Sequence, residues 1–210
     1  MAFRRTLKYR GAMLRTIAHR LLESPVVFQL QQRLCNNYSS LKEVFPDYLD
    51  VIGKCILDVG CSTAACAGQI IDMEKNSYVG VDIDPKYVEL AKKMHPCGRF
   101  LHGDARTLPF DHDSFDLVMF NGVWHHMDDD LIRSCMKEVS RVLRRTGSIV
   151  VSEPVFRSDW PVSTWLLKND RGKYIRDRAG YRAFFEGLSI VEERTLRIAM
   201  HEFAGFVARK

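Results

Sequence analysis

The sequence predicts an α/β domain: a mostly parallel sheet with helices on both faces, closed by an antiparallel C-terminal hairpin. Three observations carry this expectation. Between residues 55 and 152, short apolar runs alternate with segments of helical periodicity. The first run, Ile56-Leu57-Asp58-Val59, passes through Gly60 into Cys61-Ser62-Thr63-Ala64, the pattern of a buried strand, a tight turn and a helix start. The last two runs, Leu188–Ile198 and His201–Ala208, have no helical segment between them. Strands separated by helices need crossover connections, which make them parallel and cover the sheet twice. Strands joined only by Ala199-Met200-His201-Glu202 pair as a hairpin instead.

In chain order, residues 1–22 place Leu7, Leu14, Ile17 and Leu21 at helical spacing with arginines between them, an amphipathic helix. Pro25 can open a second helix through Val26, Val27, Leu30 and Leu34, broken at Asn36-Asn37. Leu41 to Ile52 reads as a third, ending at Gly53. Residues 1–53 are therefore expected to form a helical extension or lid, and residues 54–210 the main domain. There, Cys55–Val59 is the first strand. Ser62 or Thr63 is expected to cap a helix over Ala64–Met73. Ser77–Val81 is the second strand, and Pro85–Met94 a helix with proline at its first position and Asp84 as its cap. Gly98–Leu101 and Phe115–Phe120 are strands three and four. Asp128–Leu143 reads as a helix whose apolar face is Leu131, Ile132, Met136, Val139, Val142 and Leu143, with Arg144 and Arg145 in its last turn and Gly147 as its stop. Ser148–Ser152 is strand five. Residues 155–180, entered through Pro154, carry Trp160, Pro161 and Trp165, then a charged run from Lys168 to Arg178, and read as an irregular insertion with a helix around Val162–Leu167.

Composition narrows the class. A chain of 210 residues fits one domain with an extension, and its 46% apolar content can fill a core. No apolar run is long enough to span a bilayer, and no secretory signal pattern is visible. The net charge of +5 is localised: Arg4, Arg5, Lys8, Arg10, Arg15 and Arg20 all precede the first acid, Glu23. Such an arm can be a solvated helix face, or it can make peripheral contact with a membrane or contact nucleic acid. Its Arg-rich, acid-free start also resembles a transit peptide, although no serine precedes Ser24. The six cysteines form no Cys-x-x-Cys pair and several sit in apolar runs. They read as reduced core residues of a cytoplasmic protein, with no metal site expected.

Four positions at strand carboxyl ends are candidates for ligand binding, because open α/β sheets bind ligands there. The turn at Gly60 lets a ligand approach backbone amides. Asp82, 22 residues beyond Gly60, can accept from ribose hydroxyls. Gly103-Asp104-Ala105 offers a carboxylate for an exocyclic adenine amine and an amide for a ring nitrogen. Asn121-Gly122 ends strand four.

Together ILDVGCSTAAC, VGVDIDP, GDARTLPFDHDSFDLV, NGVWHHM and EVSRVLRRTGSIVVSEP resemble the class I S-adenosylmethionine-dependent methyltransferases, of the broad type-11 group. The resemblance covers residues 55–154 and implies a Rossmann-like seven-stranded sheet. It implies S-adenosylmethionine as cofactor, S-adenosylhomocysteine as product, and Asp58 and Gly60 at the methionine end. Asp82 would lie at the ribose, Asp104 and Ala105 at the adenine, and Asn121 near the sulfonium, with Cys61, Ser62, Ile83 and Gly122 as further cofactor contacts. The family's first motif reads Asp-x-Gly-x-Gly-x-Gly; here Ser62 and Ala64 replace the later glycines. Residues 168–176 also resemble a subgroup of bacterial small-molecule and sugar-associated methyltransferases.

These motifs are specific for the cofactor rather than the acceptor. The reading favoured is methyl transfer to a small molecule, at a hydroxyl oxygen, with His125 or His126 as base. The alternative for the histidines is that one packs and the other caps a helix. Trp124, Arg171, Tyr174 and Arg176 are candidate acceptor contacts; Trp124 can equally fill the core, and the arginines can be a solvated run. A methyltransferase of RNA or protein docking through the basic arm is a rival, though no nucleic-acid module is evident. A non-catalytic cofactor-binding scaffold is another. A nicotinamide dehydrogenase is disfavoured, since Gly-x-Gly-x-x-Gly is absent.

Overall fold

The computed structural model describes residues 39–156, 160–168, 172–198 and 201–210, with no account of the side chains of residues 39, 40, 162 and 166. The basic arm and the first two expected helices lie outside the described residues, as do Arg171 and the Ala199-Met200 step of the hairpin.

Seven strands form one sheet in the order β3-β2-β1-β4-β5-β7-β6. They are β1 (Cys55–Val59), β2 (Ser77–Asp82), β3 (Arg99–His102), β4 (Phe115–Asn121), β5 (Leu143–Val155), β6 (Ser189–Ile198) and β7 (His201–Arg209). The pairs β1–β2, β2–β3, β1–β4 and β4–β5 are parallel; β7 runs antiparallel to both β5 and β6. The expected sheet and C-terminal antiparallel pair are thus observed. The order reverses between β1 and β4, so a crevice opens at their carboxyl ends, beside the turns after β1 and β4.

Alternate strand residues feed two cores. One face carries Leu57, Val59, Val79, Val81, Val118, Phe120, Ile149, Val151 and Phe206. Against it packs the helix α5 (Asp129–Val142), through Ile132, Met136, Val139 and Val142. Each such side chain contributes about 1.5–3 kcal/mol when fully buried. The other face carries Ile56, Tyr78, Leu117, Met119, Val150 and Val207. It is covered by α1 (Ser39–Val44), α2 (Pro46–Leu49), α3 (Ala67–Ile70) and α4 (Pro85–Met94). Leu41, Phe45 and Leu49 are each 1% exposed, so residues 41–49 belong to the core of the sheet. Two further helices, α6 (Pro161–Lys168) and α7 (Arg178–Arg182), follow β5.

Several expected elements differ from those observed. The helix after β1 is a single turn, Ala67–Ile70, and neither Ser62 nor Thr63 caps it; Cys66 stands at its start and makes no side-chain cap bond. The cause is local: Ser62 (φ +50°) and Ala64 (φ +56°) are left-handed, so helical dihedrals cannot begin until past them. The helix expected over Leu41–Ile52 breaks at Pro46, which has no amide to donate. The helix expected to stop at Gly147 stops at Val142, and Gly147 lies within β5. Arg144 sits in the strand and bonds Asp116 at 2.6 Å, and the same Asp116 oxygen accepts the Cys55 amide at 2.9 Å. That pairing ties the amino ends of β1, β4 and β5 and commits the arginine to the sheet. The expected cap Asp84 holds, its carboxylate accepting the Lys86 amide; Asp128, read as the first helical residue, is instead the cap of α5 and accepts the Leu131 amide.

Candidate active site

The turn after β1 is built on left-handed residues at every second position: Gly60 (φ +74°), Ser62 and Ala64. At Gly60 no other residue fits, because a Cβ would stand 2.7 Å from Val123 Cγ1. The Gly60 and Cys61 amides both donate to Val81 O, at 2.8 and 3.1 Å, and the Ser62 amide donates to Asp82 Oδ2 at 2.8 Å. Asp82 Oδ1 accepts the Asp84 amide at 2.9 Å. Asp82 therefore holds the turn against the end of β2, and each oxygen keeps a further lone pair for a ligand. Burial raises its pKa, against the lowering effect of the Asp84 and Ser62 amides.

Asp58 is 5% exposed and accepts from Tyr78 Oη at 2.6 Å. Burial pushes its carboxyl up to about 6, the tyrosine hydrogen bond opposes this, and the nearby Asp82 adds to it. Burial also raises the thiols of Cys61 and Cys66, so neither is a thiolate nucleophile. Asn121 Nδ2 lies 2.7 Å from Cys66 Sγ. Two atoms of the crevice, Ser62 Oγ and Asn121 Oδ1, are buried without a hydrogen-bond partner. A buried orphan of this kind costs about 1–3 kcal/mol, which a bound polar ligand removes. Asp58, Ser62, Asp82 and Asn121 thus offer carboxylate, hydroxyl and amide groups from the ends of β1, β2 and β4, a set that fits the amine and hydroxyls of S-adenosylmethionine. Ile83, 66% exposed, stands at the end of β2 as an apolar platform. Asp104 is less open than expected: Arg106 grips both its oxygens through Nε and Nη2, and that hydrogen bonding lowers its pKa.

The turn after β4 is organised by a residue that the sequence reading did not single out. Glu153 of β5 is fully buried. Its Oε1 accepts the amides of Val123 and Trp124, both at 2.7 Å, and its Oε2 accepts the His125 amide at 3.2 Å. The His125 ring adds a fourth contact, Nδ1 to Oε2 at 2.8 Å. Since a carboxylate can only accept, Nδ1 is the donor to Glu153. The visible signal was a glutamate inside the apolar run Ile149-Val150-Val151-Ser152-Glu153. His125 is 6% exposed and His126 is exposed, the two rings stacking at 4.0 Å.

Two candidate acceptor contacts are corrected. Trp124 is fully buried among Phe120, Tyr181, Phe184 and Phe185, so it fills the core. Arg176 is a clamp rather than an acceptor contact: its guanidinium donates to the carbonyls of Trp124, Met127 and Tyr174 and to Asp129. Tyr174 is half exposed, and its amide donates to His125 O at 2.9 Å. Gly172 lies flat on the imidazole; a Cβ there would be 2.0 Å from His125 Cδ2 and 3.1 Å from Nε2. Gly172 also lines a cavity of about 310 Å³ with Phe156, Leu167, Lys168, Lys173 and Ile175. The Nε2 edge of His125 is thus one residue away from that cavity. Among the described residues, no three His, Cys, Asp or Glu side chains gather as a metal site would need.

Residues 56–147 match the family described as "Methyltransferase domain". The chain is 35% identical to the phthiotriol/phenolphthiotriol dimycocerosates methyltransferase of Mycobacterium leprae, over 75% of this chain and 63% of that protein. It is 32% identical to the demethylmenaquinone methyltransferase of Chlorobaculum tepidum, over 48% and 40% of the two. The chain therefore spans less than two thirds of either relative. A SAM dependent methyltransferase from Aquifex aeolicus shares the fold, with a TM-score of 0.66 at 12% identity, over 86% of this chain and 93% of that one.

Proposed function

The chain carries a class I S-adenosylmethionine-dependent methyltransferase domain, and from that premise we propose that it methylates a hydroxyl of a small, largely apolar molecule. The observation that carries the acceptor side is the Glu153–His125 pair next to the cavity of residues 156–175. When bound, S-adenosylmethionine supplies a methyl group on a sulfonium. Asp58, Gly60, Ser62, Asp82, Asn121 and, at the adenine edge, Ile83 with Asp104–Ala105 are the residues that hold it.

His125 acts as the general base. Its Nε2 takes the hydroxyl proton, while Glu153 fixes the tautomer and steadies the resulting imidazolium. His126 stacks on it from the exposed side. Residues 155–180 form the acceptor side, with Phe156, Leu167 and Ile175 as apolar wall. Relatives whose names specify a dimycocerosate and a menaquinone precursor support an apolar acceptor.

Calorimetry with S-adenosylmethionine and S-adenosylhomocysteine, beside an Asp82→Ala variant, tests the cofactor. Micromolar affinity, about −8 kcal/mol, is expected, and is lost in the variant. Absence of binding to the wild type overturns the reading. Methyl consumption across a panel of phenolic and aliphatic alcohols tests the base. His125→Ala should lower turnover and spare cofactor binding; full turnover in both the His125→Ala and His126→Ala proteins removes the histidines from the mechanism.

A further inference from the structure

The segment that lines the acceptor cavity has an unusual surface. Three of its large apolar side chains are exposed, Phe156 (43%), Trp165 (64%) and Tyr174 (41%), of which Phe156 lines the cavity itself. Trp165 shares α6 with the lining residues Leu167 and Lys168, and Tyr174 lies between the lining residues Lys173 and Ile175. Among the described residues, the lining includes two exposed lysines and no carboxylate. In sequence, residues 156–178 hold six Lys or Arg against three Asp; Arg176 and Arg178 are paired with Asp129 and Glu193, so the charge offered by the cavity lining is that of Lys168 and Lys173. Among the described residues only three other large apolar side chains are as exposed, Ile52, Ile83 and Val191.

Tryptophan and tyrosine beside lysines is the chemistry of a membrane interface. The rings are apolar with one polar edge and rest at the headgroup level, while ammonium groups on long stems reach anionic phosphates. We propose that this face docks on an anionic bilayer surface and draws an amphipathic acceptor directly from it into the cavity. The charge decides the occupant: a cavity lining whose described charged residues are the lysines Lys168 and Lys173 is complementary to anionic headgroups, and each lysine near such a surface contributes about fivefold in partitioning. Surrounding apolar side chains then enter the headgroup region and let an acceptor move from lipid to cavity without crossing water.

The proposal rests on reading the cavity as the acceptor site, but it is tested without cofactor or turnover, so the two fail separately. Full-length protein is sedimented with vesicles of phosphatidylcholine alone or mixed equally with phosphatidylglycerol. Binding to the anionic vesicles is expected to exceed that to the neutral ones at least tenfold and to fall as salt rises. A Lys168→Ala/Lys173→Ala protein with an unchanged circular-dichroism melt should bind about thirtyfold more weakly. Brominated lipid should quench tryptophan emission in the wild type and not in Trp165→Phe. Equal binding to both vesicles overturns the proposal. So does undiminished binding by the double variant, which would assign the bilayer to the basic N-terminal arm, or binding with no Trp165-dependent quenching.

Discussion

Replacing Ser62 with glycine should stabilise the protein and at the same time weaken its hold on the cofactor. Ser62 occupies left-handed dihedrals at φ +50°. For a residue with a Cβ that conformation costs about 1–2 kcal/mol. Its hydroxyl is buried without a partner, which adds about 1–3 kcal/mol. Glycine removes both costs and introduces about 0.4–1 kcal/mol of unfolded-chain entropy. The net is a gain of about 2 kcal/mol, or a rise of roughly 4–8 °C in Tm for a domain of this size. The amide that donates to Asp82 is retained in the variant, so the turn keeps its anchor. With cofactor bound, the hydroxyl gains a partner and the balance shifts by about 1 kcal/mol, roughly fivefold in Kd. Thermal unfolding of the ligand-free proteins and calorimetry with S-adenosylhomocysteine read the two halves. A Ser62→Gly protein that melts at or below the wild-type temperature would refute the reasoning, because neither the strain nor the orphan hydroxyl would then be real.

Three further outcomes are expected. Asp58 has a folded pKa of about 6 against an ordinary 3.8. The folded state therefore binds more protons than the unfolded one between those values, and stability falls by about 3 kcal/mol as pH rises from roughly 4 to 6. Asp58→Asn should flatten that slope in urea titrations at pH 4.5 and 7.5 and be the more stable protein at the higher pH; parallel profiles would count against it. Glu153→Gln sets an amide N–H against one or more of the four donors aimed at that carboxylate. It should cost about 3 kcal/mol and move the imidazole nitrogen shifts of His125 toward the other tautomer; wild-type stability with unmoved shifts would show that the pair is incidental. Arg176→Ala should cost about 2–4 kcal/mol and speed hydrogen exchange at the Tyr174 amide, whose acceptor is His125 O; unchanged exchange would mean that the clamp does not hold the 172–177 segment.

The parts of the fold that were legible share one property: their signal is local. Ile56-Leu57-Asp58-Val59, Pro85–Met94 behind its Asp84 cap, and the apolar stripe of α5 each announce themselves in the periodicity of adjacent residues. The misread elements are those in which a distant residue decides. Arg144 and Arg145 look like the last turn of a helix, yet Asp116, 28 residues away, draws Arg144 into β5. The helix expected from Ala64 is delayed because Val81 and Asp82 hold the Gly60–Ser62 amides in a left-handed turn. Site residues divide in the same way. Asp82 was visible from its place at a strand end, whereas Glu153 was hidden inside an apolar run and gains its role from three amides contributed by the turn after another strand.

By itself, then, the sequence determined the alternation of strand and helix, the parallel character of the central sheet, and the carboxylates placed where that sheet opens. Those follow from the two periodicities of the backbone and from the rule that crossovers lie on the faces of a sheet. Only the tertiary structure decided which polar groups are already spent. Arg176 is consumed by three carbonyls and a carboxylate, and Trp124 by the core. Ser62 and Asn121 are left with buried orphan atoms, and His125 is held through Nδ1 by Glu153. Whether a polar side chain serves the fold or a ligand depends on which partners come within about 3 Å of it, and those partners are brought there by strands that are far apart in the chain.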